Sequence, residues 1–202
     1  MKLLGKNRNE TPDGAVDSLL RAYVSRPGNR ECSEFDADLA NAYIERNLMS
    51  GLFHAAASLG IAESADAIAR RGIAGRTNGD ARPRMQVADN AVDLAAARGV
   101  LSRAAGLIDE HHIANPASDG SADELGALFA EAQAAKAFVN EASARIVDRA
   151  LALSGGAGYA NGSPLARAYR DVKAGSFMHP LGANRAYDHL AQVALGEPAS
   201  LH

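Results

Sequence analysis

SADELGALFAEAQAAKAFVNEASARIVDRALALSGGAGY, residues 121–159, reads as one long helix with its start and its stop written into it. Ser121 to Glu124 has the spacing of a capping box, in which the serine oxygen accepts from a free N–H and the glutamate bonds back to the serine backbone. Behind it Leu125, Leu128, Phe129, Ala132, Val139, Ala142, Ile146, Ala150 and Leu153 keep a 3.6-residue period. Glu131, Asn140, Glu141, Arg145 and Asp148 fall on the other faces. The helix should run roughly 50 Å at 1.5 Å per residue and end at Gly155, Gly156 and Gly158.

Working outward, the same period recurs on both sides. Leu48, Leu52, Ala56 and Leu59 form a stripe within residues 36–71, with Gly72 where a helix C′ residue belongs. Val87, Ala91, Leu94, Leu101, Ala105 and Ile108 form another within residues 84–114, which Asn115 and Pro116 stop. Ser163 and Pro164 open a shorter helix that Gly175 closes, and Pro180 opens a last one with Leu190 and Val193 on its apolar face. Alanine, the best helix former and a poor strand former, recurs throughout, including Ala55 to Ala57 and Ala95 to Ala97. The expected architecture is an all-α antiparallel helical bundle over residues 41–198. Residues 1–40 read as a loosely organised lead-in in which only Ala15 to Val24 has helical periodicity.

At 202 residues the chain holds one domain or little more. It is 47% hydrophobic and 22% charged with a net charge of -3, so no concentration of Lys and Arg points to nucleic acid. The single cysteine, Cys32, excludes an intramolecular disulfide and a cysteine-based zinc site. There is no secretory h-region and no apolar run of the ~18 residues a membrane span needs, so no membrane partner and a cytoplasmic location are expected.

Three places carry candidate chemistry. Asp109, Glu110, His111 and His112 stand in a row, but adjacent helical residues point about 100° apart and cannot close on one metal. No metal site is expected there, only a solvated helix end. The glycines at 155, 156 and 158 lack the dinucleotide fingerprint and follow a helix rather than a strand. They are a helix stop or a turn pressed against a ligand. His179 precedes a predicted helix N-terminus, whose positive end disfavours protonation, so a neutral ring could serve as base or donor there, or simply as a cap.

The stretch AAKAFVNEASARIVDRALALSGGAGY, followed by SPLARAYRDVKAGSFMHPLGANRAYDHLAQVAL, resembles the C-terminal helical domain of the acyl-CoA dehydrogenase superfamily. It is closest in wording to the variant shared with flavin-dependent monooxygenases, such as the p-hydroxyphenylacetate and dibenzothiophene oxygenases. The likeness extends back to about Leu48. It implies a flavin oxidoreductase, a dehydrogenase or a monooxygenase, using FAD or FMN, with Gly155, Gly156 and Gly158 against the flavin of a neighbouring subunit. His179 stands where the dehydrogenases often carry a glutamate base, and in the monooxygenases a histidine in this region faces the flavin ring. His179 is thus the candidate catalytic residue, and Asn184, a helical turn on, a candidate flavin or substrate contact. Arg170 and Asp171 are read as a local ion pair.

The resemblance also implies an N-terminal helical domain and a β-domain that are not found ahead of the first helix. Expected readings are therefore a fragment, a truncated protein or one subunit of a split enzyme, with the flavin shared with another chain or domain. A non-catalytic assembly module that pairs with a flavin-carrying partner chain is the alternative. The alanine-rich faces predict a homo-oligomer, a dimer or tetramer.

Overall fold

The computed structural model describes residues 32–74, 81–116 and 121–197, with side chains from residue 40 onward. Its helices are α1 (Cys32–Asn47), α2 (Ser50–Ile73), α3 (Ala81–Ala114), α4 (Ala122–Ser154), α5 (Gly156–Tyr159), α6 (Pro164–Asp171) and α7 (Ala183–Leu195). A 3-10 segment, Val172–Phe177, continues α6. Among the described residues there is no strand, so the chain is all-α as its composition predicts. The compact unit considered below begins at Asn41.

Cross-helix pairs fix the directions of the three long helices. Asp66 meets Asn90 and Glu63 meets Arg98, so α2 and α3 are antiparallel. Asp93 meets Arg145 and Arg149 while Arg103 meets Glu131, so α3 and α4 are antiparallel too. The central α4 lies between them, with α7 and the 3-10 segment packed along it.

The core is built largely of alanine. Ala55, Ala62, Ala65, Ala69, Ala97, Ala142 and Ala150 are fully buried, and such small side chains let helices approach closely. Toward one end Leu59, Leu94, Val139, Ile146, Leu165 and Val172 fill the space. Toward the other Ile44, Leu48, Leu52, Ile108, Leu125, Phe129 and Leu181 do so. Burying one such Leu or Ile contributes about 1.5–3 kcal/mol.

The capping box forms as read: Ser121 Oγ accepts from Glu124 N at 3.3 Å, and Ser121 N donates to Glu124 Oε2 at 3.2 Å. Hydrogen bonding of the Glu124 carboxyl to the Ser121 backbone N–H first, and to the Ser121 side chain, holds it below its ordinary pKa. Ser163 caps α6 with Pro164 in its first turn.

Several expectations are corrected. The helix expected over residues 36–71 is two helices, broken at Leu48 and Met49, and helical structure already begins at Cys32. Helix α2 runs through Gly72 to Ile73. Ala56 and Ala91 are exposed, and the packed positions beside them are Ala55 and Asn90. Pro180 does not open the last helix, whose N-cap is Gly182. The rest of the lead-in, with Ala15 to Val24, lies outside the described residues.

Candidate functional site

The segment carrying His179 is fastened to α4 by two buried polar side chains. Asn140 Nδ2 donates to Gly175 O at 3.0 Å. Three residues after Gly175 the ammonium of Lys136 takes over, donating to the carbonyls of Met178, of His179 at 3.3 Å and of Leu181 at 2.6 Å. Lys136 is only 3% exposed, and burial pulls its pKa from 10.5 to about 8. A buried cation facing three carbonyl dipoles stays charged at neutral pH because they replace part of its hydration.

Neighbouring elements are shaped to admit this arrangement. Gly51 of α2 approaches so closely that a Cβ there would lie 3.3 Å from Lys136 Cδ and 3.4 Å from Pro180 Cδ. At Gly175 a Cβ would overlap Asn140 Oδ1 and Ser58 Oγ and lie 2.9 Å from Asn140 Cγ. Glycine at 175 is required by close approach, not by an unusual backbone angle.

His179 is exposed and meets the end of α1. Its Nε2 lies 2.7 Å from Asn47 Oδ1, and its ring stands edge-on to Tyr43 with centroids 6.1 Å apart. The Asn47 amide is itself oriented, because its Nδ2 donates to Tyr43 O at 2.8 Å. Oδ1 therefore faces the imidazole, an acceptor that suits a hydrogen on Nε2.

The remaining candidates are placed differently from expectation. His179 is not at a helix N-terminus, since α7 starts only at Ala183, so the dipole argument for a neutral ring does not apply. Asn184 is exposed in the first turn of α7. Asp171 pairs with Arg167 at 3.2 Å rather than with Arg170. His111 is not part of a solvated helix end: its Nε2 lies 3.7 Å from Glu45 Oε1 and its side chain is 8% exposed. Among the described residues no His, Cys, Asp and Glu cluster could hold a metal. No described helix is long and apolar enough to cross a membrane.

The glycine turn divides in two. Gly155 caps α4 at φ +60°, and it and Gly156 are exposed with open space where a Cβ would sit, so another molecule can approach their backbone. Gly158 instead is buried, and a Cβ there would lie 2.8 Å from Ser154 Cβ and 3.4 Å from Leu165 Cδ1. Its role is packing. Along α4 the turn lies about 28 Å from Lys136, at 1.5 Å per residue, so the chain does not bring it to His179.

Sequence reasoning missed Lys136, Asn140, Asn47 and Tyr43. Asn140 was assigned to an outer face, yet it is 4% exposed. The visible signal for Lys136 is its place between Ala132 and Val139 on the apolar stripe of α4.

The chain is 38% identical over 170 residues to the amino sugar nitrososynthase DnmZ of Streptomyces peucetius, an alignment covering 84% of this chain and 39% of that protein. Its fold is similar to the crystal structure of a nitrososynthase from Micromonospora carbonacea var. africana, with a TM-score of 0.70 and 35% identity over 77% of this chain and 42% of the other. It is equally similar, at a TM-score of 0.70 and 30% identity, to KijD3 in complex with FMN and dTDP-3-amino-2,3,6-trideoxy-4-keto-3-methyl-D-glucose, covering 79% of this chain and 39% of that one. The chain thus spans about two fifths of the length of these relatives. Residues 52–180 match the acyl-CoA dehydrogenase C-terminal domain, and the chain belongs to that family.

Proposed function

We propose that the helical body, residues 41–198, is the C-terminal portion of a flavin-dependent oxidoreductase that oxidises the nitrogen of a nucleotide-linked amino sugar. The observation that carries this reading is the 38% identity to an amino sugar nitrososynthase across 84% of the chain. Of the two flavins expected, FMN is proposed, because the similar KijD3 is in complex with FMN and a dTDP-linked amino sugar. When bound, the flavin, once reduced, would activate dioxygen, which is the oxidant.

The residues present fit two separate parts of such a site. The open backbone of Gly155 and Gly156 suits close approach by a flavin, whereas Gly158, filled in by its own neighbours, does not. His179 suits the substrate side. A nitrogen must carry a free lone pair to be oxidised, while a sugar amine in neutral water is largely an ammonium. A base that takes one proton from it is therefore needed. We assign that step to His179, and to Asn184, exposed in the first turn of α7, a hydrogen bond to the substrate or the flavin. The relatives extend well beyond the matched portion, and we propose that such a further portion, in the same chain or a partner chain, completes the site here.

The test pairs this chain with the part of the Streptomyces peucetius relative that it does not match, adds FMN, a flavin reductase with NADPH, dioxygen as the oxidant, and a dTDP-linked amino sugar, and reads the products by mass spectrometry. Oxidation at nitrogen is expected with both parts together. FMN titration of this chain alone should give weak binding or none, since one wall is not a pocket. His179→Ala in the assembly should lower turnover on the order of 10²- to 10⁴-fold with the bundle still folded. A stable complex without turnover would instead make the chain a helical assembly module for a flavin-carrying partner.

A further inference from the structure

We propose that residues 176–182 form a strap whose release from α4 is coupled to proton uptake by Lys136, so that the strap is held more firmly on the alkaline side of neutrality. Its ends are fastened without any charge: Gly175 is buried and accepts from Asn140, and Gly182 is the N-cap of α7. Between them the chain leaves the 3-10 segment at Phe177 and is not helical over residues 178–182. Phe177, Met178 and His179 are exposed, Phe177 at 81%, while Pro180 and Leu181 are buried, Pro180 against Gly51 of α2. The polar tie from this stretch to α4 is the ammonium of Lys136, which donates to the carbonyls of Met178, His179 and Leu181. The inference concerns the chain by itself and holds whether or not His179 is the base.

The tie joins a buried cation to dipoles, with no anion. Among the described residues no carboxylate pairs with Lys136. Its own helix flanks it with Gln133 and Asn140, one turn to either side. Helix α2 lays Gly51 against its Cδ and carries His54 one turn further along. The strap brings His179, whose ring meets Asn47 and Tyr43 of α1. Neither histidine acts on the lysine pKa, which burial alone pulls from 10.5 to about 8. Carbonyl dipoles replace part of the hydration an ammonium loses, but not all of it. The closed strap therefore prefers the neutral amine, whereas an opened strap, which returns Nζ to water, prefers the ammonium. Opening is easiest below pH 8, where Lys136 is charged in both forms, and grows harder as the pH rises toward 10.5. The two pKa values make the whole change in the opening equilibrium on the order of 10²-fold. At neutral pH the buried charge thus leaves the strap poised to open.

The experiment reads the coupling from both sides. The full chain has four lysines, so carbon-13 labelling of lysine lets Lys136 be titrated by NMR without ambiguity. Its pKa should be about 8 in the wild type. Leu181→Ala, which loosens the strap without touching Lys136, should raise it by about 1 or more, because the strap is what shields Nζ. The amide signals of α2 and α3 should stay in place, showing the bundle intact. The second arm measures chymotrypsin cleavage after Phe177 from pH 7 to 9.5, located by mass spectrometry, a rate that follows the open population while reclosing is fast. Dividing by the rate for Lys136→Met, whose strap opens without taking up a proton, cancels the protease's own pH dependence. That ratio should fall on the order of 10-fold across the range. A Lys136 pKa unmoved by Leu181→Ala would overturn the proposal, as would a ratio that stays flat with pH. Should Leu181→Ala unfold the bundle, the cleavage ratio decides. Neither arm uses flavin, substrate or turnover, so failure here is distinct from failure of the proposed activity.

Discussion

Replacing Lys136 by methionine keeps the length of the side chain and its packing against Gly51 while removing the ammonium that holds residues 178–181. Three carbonyls lose their donor, but unequally. Met178 and His179 are exposed residues whose carbonyls water can reach, whereas Leu181 is 2% exposed and accepts at 2.6 Å. Losing a charged donor to a buried acceptor costs about 1.5–3 kcal/mol. Against this, the variant no longer buries a cation, the burden that pulls the Lys136 pKa from 10.5 to about 8. The balance is a loss of about 1–2 kcal/mol at pH 7, well short of unfolding the bundle.

The effect should be concentrated in the segment, so hydrogen exchange at residues 178–182 should accelerate more than exchange along α2 or α4. The pH dependence gives a second reading with a fixed sign. Because the folded pKa lies below the unfolded one, the unfolded chain holds this proton more firmly between about pH 8 and 10.5. The contribution of Lys136 to stability is therefore flat below pH 8 and rises across that window, and the gap between wild type and Lys136→Met should widen there. Urea denaturation from pH 7 to 10.5 measures it. Equal stability, equal exchange at residues 178–182 and parallel pH curves would refute the assignment of Lys136 as the clamp.

Gly175→Ala should cost about 1–3 kcal/mol by overpacking, since the new methyl overlaps Ser58 Oγ and Asn140 Oδ1; thermal melts check it, and Ser58→Gly should recover part of the loss. Gly155→Ala should cost about 1–3 kcal/mol because φ +60° with ψ -154° is a glycine conformation. Gly156→Ala, with open space around it, should leave stability unchanged and weaken FMN binding only in the assembled enzyme, a pair of results separable by melts and flavin titration. Phe53 and Val92, exposed at 65% and 69%, add to the case for a covered helix face; sedimentation at micromolar concentration should give a dimer or tetramer, and a monomer would contradict it.

The long helices were legible because a 3.6-residue period over some thirty residues outweighs any single misplaced residue, and because Ser121, Ser163 and Gly155 are cap residues for reasons that do not depend on tertiary context. Alanine blurred the faces. Ala55 and Ala56 carry the same hydrophobic signal, and only packing decides which one is buried. The break at Leu48 and Met49 has neither glycine nor proline to announce it. Pro180 misled for the opposite reason: proline does favour the first turn of a helix, but here it precedes the N-cap, Gly182, and α7 takes its start from Ala183.

The site was legible only where its chemistry is exposed. His179 stood out as a histidine beside a proline, while the groups that contact its ring and hold its backbone come from α1 and α4, many residues away in sequence. Asn140 was read as an outer-face residue, and Lys136 drew no reading, because polar side chains are usually exposed. Their burial becomes sensible once the backbone of residues 175–181 is seen to need donors it cannot find in a helix. The 3-10 segment and the turn after it leave carbonyls facing α4, and a lysine and an asparagine on that face satisfy them. The same accounting explains why the glycine turn and the histidine belong to separate ends of α4. Gly155 closes α4 at its C-terminus, whereas the segment of His179 is tied to its middle, about 28 Å back along the axis at 1.5 Å per residue. Within one chain these two surfaces are set far apart along α4. If both surfaces serve one flavin, as proposed, the turn of one subunit must approach it beside the His179 of another, and dilution that separates the subunits should then abolish turnover together with flavin binding.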